Sequence, residues 1–168
     1  MDTNVLHNIG YGMYIVSSNK GDRFNGQVAN TVFQITSQPA TIAVSINKDN
    51  LTHEYIENSN RFSVSVLSEE APLNFIGKFG FRSGRNGDKF KDVRSKKLAS
   101  GCPVVLDNAI AYLEVKVINK LDCGTHRLFM GEMTGSEVLK TGSPMTYAYY
   151  HQVKRGITPK TAPTFIAE

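Results

Sequence analysis

The sequence lacks most of the features that announce an enzyme class. Its only cysteines are Cys102 and Cys123. A pair cannot build a disulfide framework, and neither residue sits in a CxxC or metal-type spacing. A reducing cytoplasm is therefore the expected compartment, with both thiols expected as small buried groups. The N-terminus, MDTNVLHNIGYGMYIV, has no basic segment ahead of an apolar one, so no secretory signal is expected. No apolar run approaches the roughly 20 residues that cross a bilayer, which excludes a helical membrane span. No GxGxxG follows a strand pattern, and GxxxxGK[ST], HExxH and GxSxG are missing. His7, His53, His126 and His151 are scattered, without a metal-ligand spacing. Catalysis by side chains alone is poorly supported, so an enzyme built on this sequence needs a cofactor to carry the chemistry.

Charge of one sign is also scarce. There are 19 basic and 15 acidic residues, a formal net charge of +4. This mild, dispersed excess does not make a nucleic-acid interface. Lys89, Lys91, Arg94, Lys96 and Lys97 form the one basic cluster. It reads as a solvated face or as an attractor for a phosphorylated ligand. With 168 residues, 40% hydrophobic, and no repeat or linker, residues 1–168 are expected to form a single domain.

What is present is mostly period two. In RFSVSVL, Phe62, Val64 and Val66 alternate with Ser63 and Ser65. In AIAYLEVKVINKL, Ala111, Leu113, Val115 and Val117 alternate with Tyr112, Glu114 and Lys116. Such alternation predicts half-buried strands. Met13–Ser17, Gln27–Ser37, Thr41–Ile46 and Arg127–Val138 read the same way. Asn25-Gly26 predicts a tight hairpin turn. LTHEYIENSN predicts a short helix, with Asn50 or Thr52 placed to cap it. PLNFIGKF predicts another, with Pro72 in its first turn. Many strands and few short helices point to a β-barrel. The stretch from Gly156 to Glu168, with Pro159 and Pro163, reads as an extended tail, frayed or lying along a partner.

Three segments concentrate groups suited to a polar, phosphorylated, aromatic ligand. Residues 25–36, NGQVANTVFQIT, place Asn30, Thr31 and Gln34 in a strand pattern that disfavours Asn. Exposure to water, or bonds to nearby loops, is the structural alternative. Residues 45–56, SINKDNLTHEYI, run a strand into a helix N-terminus, where free N–H groups favour an anion. Lys48, Asn50, Thr52 and His53 surround that point, and simple capping is the alternative. Residues 79–90, FGFRSGRNGDKF, mix glycine, arginine and phenylalanine. Glycine permits close backbone approach and arginine matches phosphate geometry, whereas an ordinary exposed loop would have a similar composition.

Taken with GYGMYIVSS at 10–18, GTHRLFMGEM at 124–133 and PKTAPTF at 159–165, these segments resemble the flavin reductase-like family, the FMN-binding split barrels. The likeness is to the branch of flavoredoxin and of flavin domains fused to rubredoxin. It implies a mainly β, Greek-key split barrel with a few short helices, dimeric, with FMN at the subunit junction. It implies that Asn30, Thr31, Val32 and Gln34 lie along the isoalloxazine. Ser45, Asn47, Lys48 and Thr52 would hold the ribityl chain and phosphate. Phe79, Ser83, Gly84 and Lys89 would line the same groove or its partner face. His126 corresponds to the histidine of the family's G-D-H pattern, near the open flavin face, although Thr125 stands where an aspartate is common. The implied activity is NAD(P)H-dependent flavin reduction. An electron carrier serving a protein such as rubredoxin, and a plain FMN-binding protein, are the other readings.

Overall fold

The computed structural model describes residues 2–165. After a 3-10 turn at Thr3–Asn8 come β1 (Tyr14–Lys20), β2 (Arg23–Ala29), β3 (Val32–Ser37) and β4 (Ala40–Asn47). Helix α1 (Leu51–Ser59) leads to β5 (Arg61–Leu67), and α2 (Leu73–Gly80) follows. The short strands β6 (Ser95–Lys97) and β7 (Pro103–Val105) precede a long hairpin, β8 (Ala109–Cys123) and β9 (His126–Val138). Helix α3 (Tyr147–Gln152) closes the series.

Seven strands form one antiparallel sheet in the order β2-β1-β5-β8-β9-β4-β3. Its apolar positions show that the sheet is rolled. Ala29 of β2 packs in one cluster with Ile42, Val44 and Ile46 of β4, from the opposite side of the order. Val16, Phe62, Val64, Val115 and Phe129 complete that interior, and Ile56 of α1 plugs it. The edge strands β2 and β3 follow each other in the chain, yet no ladder joins them. The result is a mainly β split barrel with few short helices, and the split falls at Asn30 and Thr31. A second cluster covers the outside of β1. It contains Ile15, Leu67, Ile76 and Phe79 with Met145 and Tyr150, which brings α2 and α3 against the barrel wall.

Several local expectations are corrected. Ser63 and Ser65 do not face water: both are fully buried. Their hydroxyls donate to the carbonyls of Pro103 and Val105, at 2.5 and 2.7 Å. Strand β7 thus lies over β5, and the serines satisfy its backbone acceptors, which would be costly to bury unpaired. Asn25-Gly26 is not a turn. The turn is Gly21-Asp22, with Gly21 at φ 59°, while Asn25 and Gly26 pair with Ser18 and Ser17 inside β2. Gly26 is needed for packing there, because a Cβ would lie 2.8 Å from Ser17 Oγ. The segment 27–37 is two strands, broken at the split. Of the cysteines, Cys102 is buried and Cys123 is exposed in the β8–β9 turn region. In the basic cluster, Lys91, Arg94, Lys96 and Lys97 are exposed but Lys89 is buried. Among the described residues, no helix is long and apolar enough to cross a membrane.

Candidate functional site

A cavity of about 300 Å³ opens beside the split. Asn25, Gln27 and Ala29 of β2 line one side, with Asn30, Ser45 and Asn47 continuing that wall. The first residues of α1, Leu51 and Thr52, close one end, together with Asp49 and Asn50. Phe79 to Gly84 and Lys89 form the next wall, and Tyr147 and Tyr150 of α3 reach in from below the tail. The tail residues Ile157 and Pro159 to Pro163 make the last wall.

The helix end is open to a ligand. Asn50 has extended backbone angles at the N-cap, but its side chain makes no capping bond. Thr52 does not cap either: its hydroxyl accepts a 2.7 Å bond from Asn25 Nδ2. The capping alternative therefore fails at both residues, and the first N–H groups of α1 point their partial positive charge at the cavity end.

Lys89 adds a full charge to this site. It is 7% exposed, and its Nζ donates to the carbonyls of Gly26 at 2.9 Å and Phe79 at 3.2 Å. No carboxylate pairs with it among the described residues, and burial pushes its pKa down to about 8. An ammonium has three donors, so one N–H remains uncommitted. A buried cation beside an uncapped helix N-terminus is matched by an anion such as a phosphate.

Of the two further residues named at the helix start, Asn50 lines the cavity, while His53 lies against Glu57 outside it. Of the thirteen residues given by the resemblance, eight are brought together around the cavity: Asn30, Ser45, Asn47, Thr52, Phe79, Ser83, Gly84 and Lys89. Five are not part of its lining. Thr31 donates its hydroxyl to Asn30 Oδ1 at 3.1 Å, which holds the Asn30 amide in place. Val32 packs against the barrel interior. Gln34 is exposed on β3 and donates to the Thr36 carbonyl. Lys48 pairs with Asp122, and this contact, the first cause, holds the Asp122 carboxyl down at about 2. His126 stands opposite Asn47 in the β4–β9 ladder, just outside the lining. Its Nδ1 lies 2.9 Å from Thr125 Oγ1, and its buried Nε2 makes no hydrogen bond. Burial lowers its pKa, with the Thr161 backbone acting weakly in the opposite direction.

Some lining residues carried little sequence signal. Asn25 and Gln27 lay in a selected segment, but Asn25 read as part of a turn. Tyr147 and Tyr150 belong to the aromatic run YAYYH, whose only clue is its density of rings. The tail contributed prolines and threonines, which gave no reason to place it on its own chain.

A cavity in the wall of a split barrel, with aromatic rings, amides and an anion-ready end, has the chemistry to suit a phosphorylated aromatic ligand. The model of the flavin reductase like domain matches residues 6–158. The chain belongs to this family, which is flavin-binding. It is 60% identical over 165 residues to the high molecular weight rubredoxin of Moorella thermoacetica, covering 98% of this chain and 72% of that protein. It is 48% identical to the ferric-chelate reductase (NAD(P)H) of Archaeoglobus fulgidus, covering 98% of both chains. Its fold is similar to that of the NADH:FAD oxidoreductase SgcE6 of Streptomyces globisporus, with a TM-score of 0.75 at 22% identity over 84% of each chain.

The tightest contact in the site tests its geometry. A Cβ at Gly84 would lie 2.0 Å from Asn25 Oδ1 and 3.0 Å from Leu51 Cδ2. Asn25 is 2% exposed and committed to Thr52, so it cannot turn away without breaking that bond. Gly84→Ala should cost about 1–3 kcal/mol, as overpacking does, and should weaken ligand binding. An unfolding midpoint in urea equal to that of the unmodified protein would show that the close approach is not required.

Proposed function

We propose that this chain, as one flavin reductase-like domain, binds FMN and acts as an NAD(P)H-dependent oxidoreductase. The observation that carries the reading is Lys89: a buried, unpaired cation facing the same cavity as the α1 N-terminus. In this reading Lys89, Ser83, Gly84 and Thr52 hold the phosphate end, with Ser45 and Asn47 along the ribityl chain. Asn30 and Phe79 border the ring. A bound flavin supplies the redox chemistry, taking electrons from NAD(P)H and passing them singly or in pairs to an acceptor. The chain's own residues bind, orient and shield. Asn30, fixed by Thr31, offers a second amide N–H to the ligand, and the tail limits access from solvent. Lys48, neutralised by Asp122, serves at most as a second-rank phosphate contact. The phosphate also separates FMN from riboflavin, since only the former can engage Lys89.

The pH dependence follows from that lysine. In the free protein Lys89 is charged below about pH 8, and a bound phosphate favours the charged form. Between about pH 7 and pH 8 the cation is already present and the phosphate ionised, so FMN affinity is flat. Above pH 8 each binding event must take up a proton, and affinity falls by roughly tenfold per unit. The phosphate itself, with a second pKa of about 6, stays dianionic over this range. Fluorescence titration should show this fall for FMN but not for riboflavin up to pH 9.5. Lys89→Met should abolish the difference and cost roughly ten- to a hundredfold in FMN affinity at pH 7, the worth of a charged hydrogen bond. Parallel pH profiles for both flavins would place the phosphate elsewhere.

His126 is proposed to stand by the exposed edge of the flavin, near the incoming nicotinamide. The support is its position opposite Asn47 and its buried, unpartnered Nε2. Anaerobic stopped-flow reduction of the FMN-loaded protein by NADH tests both the activity and this role. His126→Ala should slow reduction by roughly tenfold, about one hydrogen bond in the transition state, with FMN still bound. An unchanged rate would make the histidine structural. An electron carrier for a protein partner is the second reading, supported by the 60% likeness to a protein named a rubredoxin. Slow reduction by NADH with rapid electron transfer from the reduced flavin to an oxidised rubredoxin would favour it.

A homodimer in a reducing cytoplasm completes the proposal. Strand β3 is a sheet edge with Phe33 and Ile35 exposed at 48% and 44%, and Val5, Leu6 and Ile9 are exposed near the N-terminus. Apolar side chains on an unpaired edge are normally covered. The two free cysteines fit a reducing compartment. Sedimentation equilibrium should give about twice the chain mass, and Phe33→Glu with Ile35→Lys should halve it. A wild-type monomer with full flavin occupancy would refute a shared site.

A further inference from the structure

The tail lies against its own chain, held by hydrogen bonds that form a single directed run. Asn30 Nδ2 donates to Thr164 Oγ1 at 2.8 Å. The Gly156 carbonyl can only accept, so His151 Nδ1 donates to it at 2.8 Å, leaving Nε2 to accept from Thr158 at 3.3 Å. With the Thr158 proton so used, the Tyr147 hydroxyl donates to Thr158 Oγ1 at 2.5 Å, and Thr164 gives its own proton to Tyr147, 2.9 Å away. Tyr150 adds a separate bond from its hydroxyl to the Ile157 carbonyl at 3.0 Å. Every donor in the run has one acceptor, and the Tyr147 hydroxyl is its midpoint. That hydroxyl bonds the tail at two places six residues apart, Thr158 and Thr164, so it brackets Pro159 to Pro163, with Ile157 just before the first bond.

The tail itself contributes few anchors of another kind. Ile157 is 69% exposed, so the wall is held by these polar bonds more than by apolar burial. Net hydrogen bonds of this sort are modest and can be exchanged for water. Meanwhile the cavity measures about 300 Å³, the lower limit of the usual range for a site holding one small ligand. A mononucleotide would fill it, and the tail wall leaves no room for a second ring system alongside.

We propose that residues 157–163 form a displaceable wall of the cavity, latched by Tyr147, and that unlatching governs the entry and exit of the ligand. Tyr147 is a positioning residue: it acts by holding the tail. The identity of the ligand rests on the flavin reading above; the latch does not. Asn30 links the two, because one amide N–H holds the tail while the other remains available to the cavity.

The test uses Tyr147→Phe, which removes the hydroxyl and keeps the ring edges against Tyr11 and His151, at centroid distances of 6.0 and 4.3 Å. Two measurements read the latch. The first is the rate of trypsin cleavage after Lys160 in the ligand-free protein, followed by mass. The second is the association and dissociation of FMN by stopped-flow fluorescence. Cleavage should accelerate roughly tenfold, as expected for losing two modest hydrogen bonds. The FMN association and dissociation rates should both rise by several fold, with the dissociation constant changing less than either. A merely structural role would lower the urea midpoint without raising the association rate. Thr158→Val with Thr164→Val removes both Tyr147 bonds from the tail side, together with those to His151 and Asn30, and should accelerate cleavage at least as much, so a poorly folded Tyr147→Phe leaves the question answerable. Unchanged cleavage and unchanged FMN rates in both variants would overturn the latch. If FMN fails to bind the unmodified protein, the flavin reading falls, and the cleavage rates alone still judge the latch.

Discussion

Lys89 takes a positive charge into a wall of apolar side chains and meets it with two backbone carbonyls. Gly26 belongs to β2 and Phe79 to α2, so the ammonium ties the barrel edge to the helix that covers it. Carbonyl dipoles offset only part of what desolvation costs an ammonium, which in proteins is of the order of several kcal/mol. The remainder is visible as the depressed pKa. The loop 81–88 follows from the same bond: it leaves α2 at Phe81 and returns at Lys89, which brings Gly84 close to β2 while Gly87 stands in open space. Gly84 against Asn25 is that approach, and Asn25 in turn positions Thr52 at the start of α1.

The split in the barrel supplies the space in which that charge is useful. A closed ladder between β2 and β3 would have used the backbone groups of both edges and left no opening. Instead the chain crosses from one edge of the sheet to the other at Asn30 and Thr31, while Ser45 donates its backbone N–H to the Thr31 carbonyl at 3.1 Å. The crossing is therefore anchored without being laddered. Ala29 on the edge strand β2 and Ser45 on β4, one strand in from the opposite edge, both reach the cavity. The tail then covers the opening, using Asn30 at the crossing as one of its anchors.

Most strands of the main sheet were legible because apolar spacing reports burial directly: Phe62 and Val64 do line the interior. The helices α1 and α2 were legible from their start signals, whereas β6, β7 and the first half of β2 were not foreseen. What spacing could not report is a second buried face. Ser63 and Ser65 looked like the wet side of a strand, and only the placement of β7 over them shows that their hydroxyls are backbone partners. The Asn25-Gly26 pair carried a strong turn signal, yet tertiary packing against Ser17 outweighed it. For the site, residue chemistry selected the right segments and missed the partners. Lys48 and Lys89 are alike in sequence, with similar neighbours. In the fold one meets Asp122 and is neutralised, while the other meets only carbonyls, so the difference arises from long-range pairing that no local window contains. The tail shows the same limit, since nothing in its prolines and threonines points to Tyr147.

The replacement at Thr125 can be read in the same physical terms. A carboxylate beside His126 would orient the imidazole and also raise its pKa by favouring the charged form. A threonine hydroxyl orients the ring equally well, at 2.9 Å from Nδ1, and adds no charge. Burial is then the dominant influence, and it lowers the pKa. Burial thus favours the neutral ring beside Asn47. Among the described residues Lys89 is the one charged side chain that is buried, whereas Asp49, Arg82 and Lys160 border the same cavity from exposed positions. Exposed charges are screened by water and salt, so the field inside the cavity is set mainly by Lys89 and the start of α1.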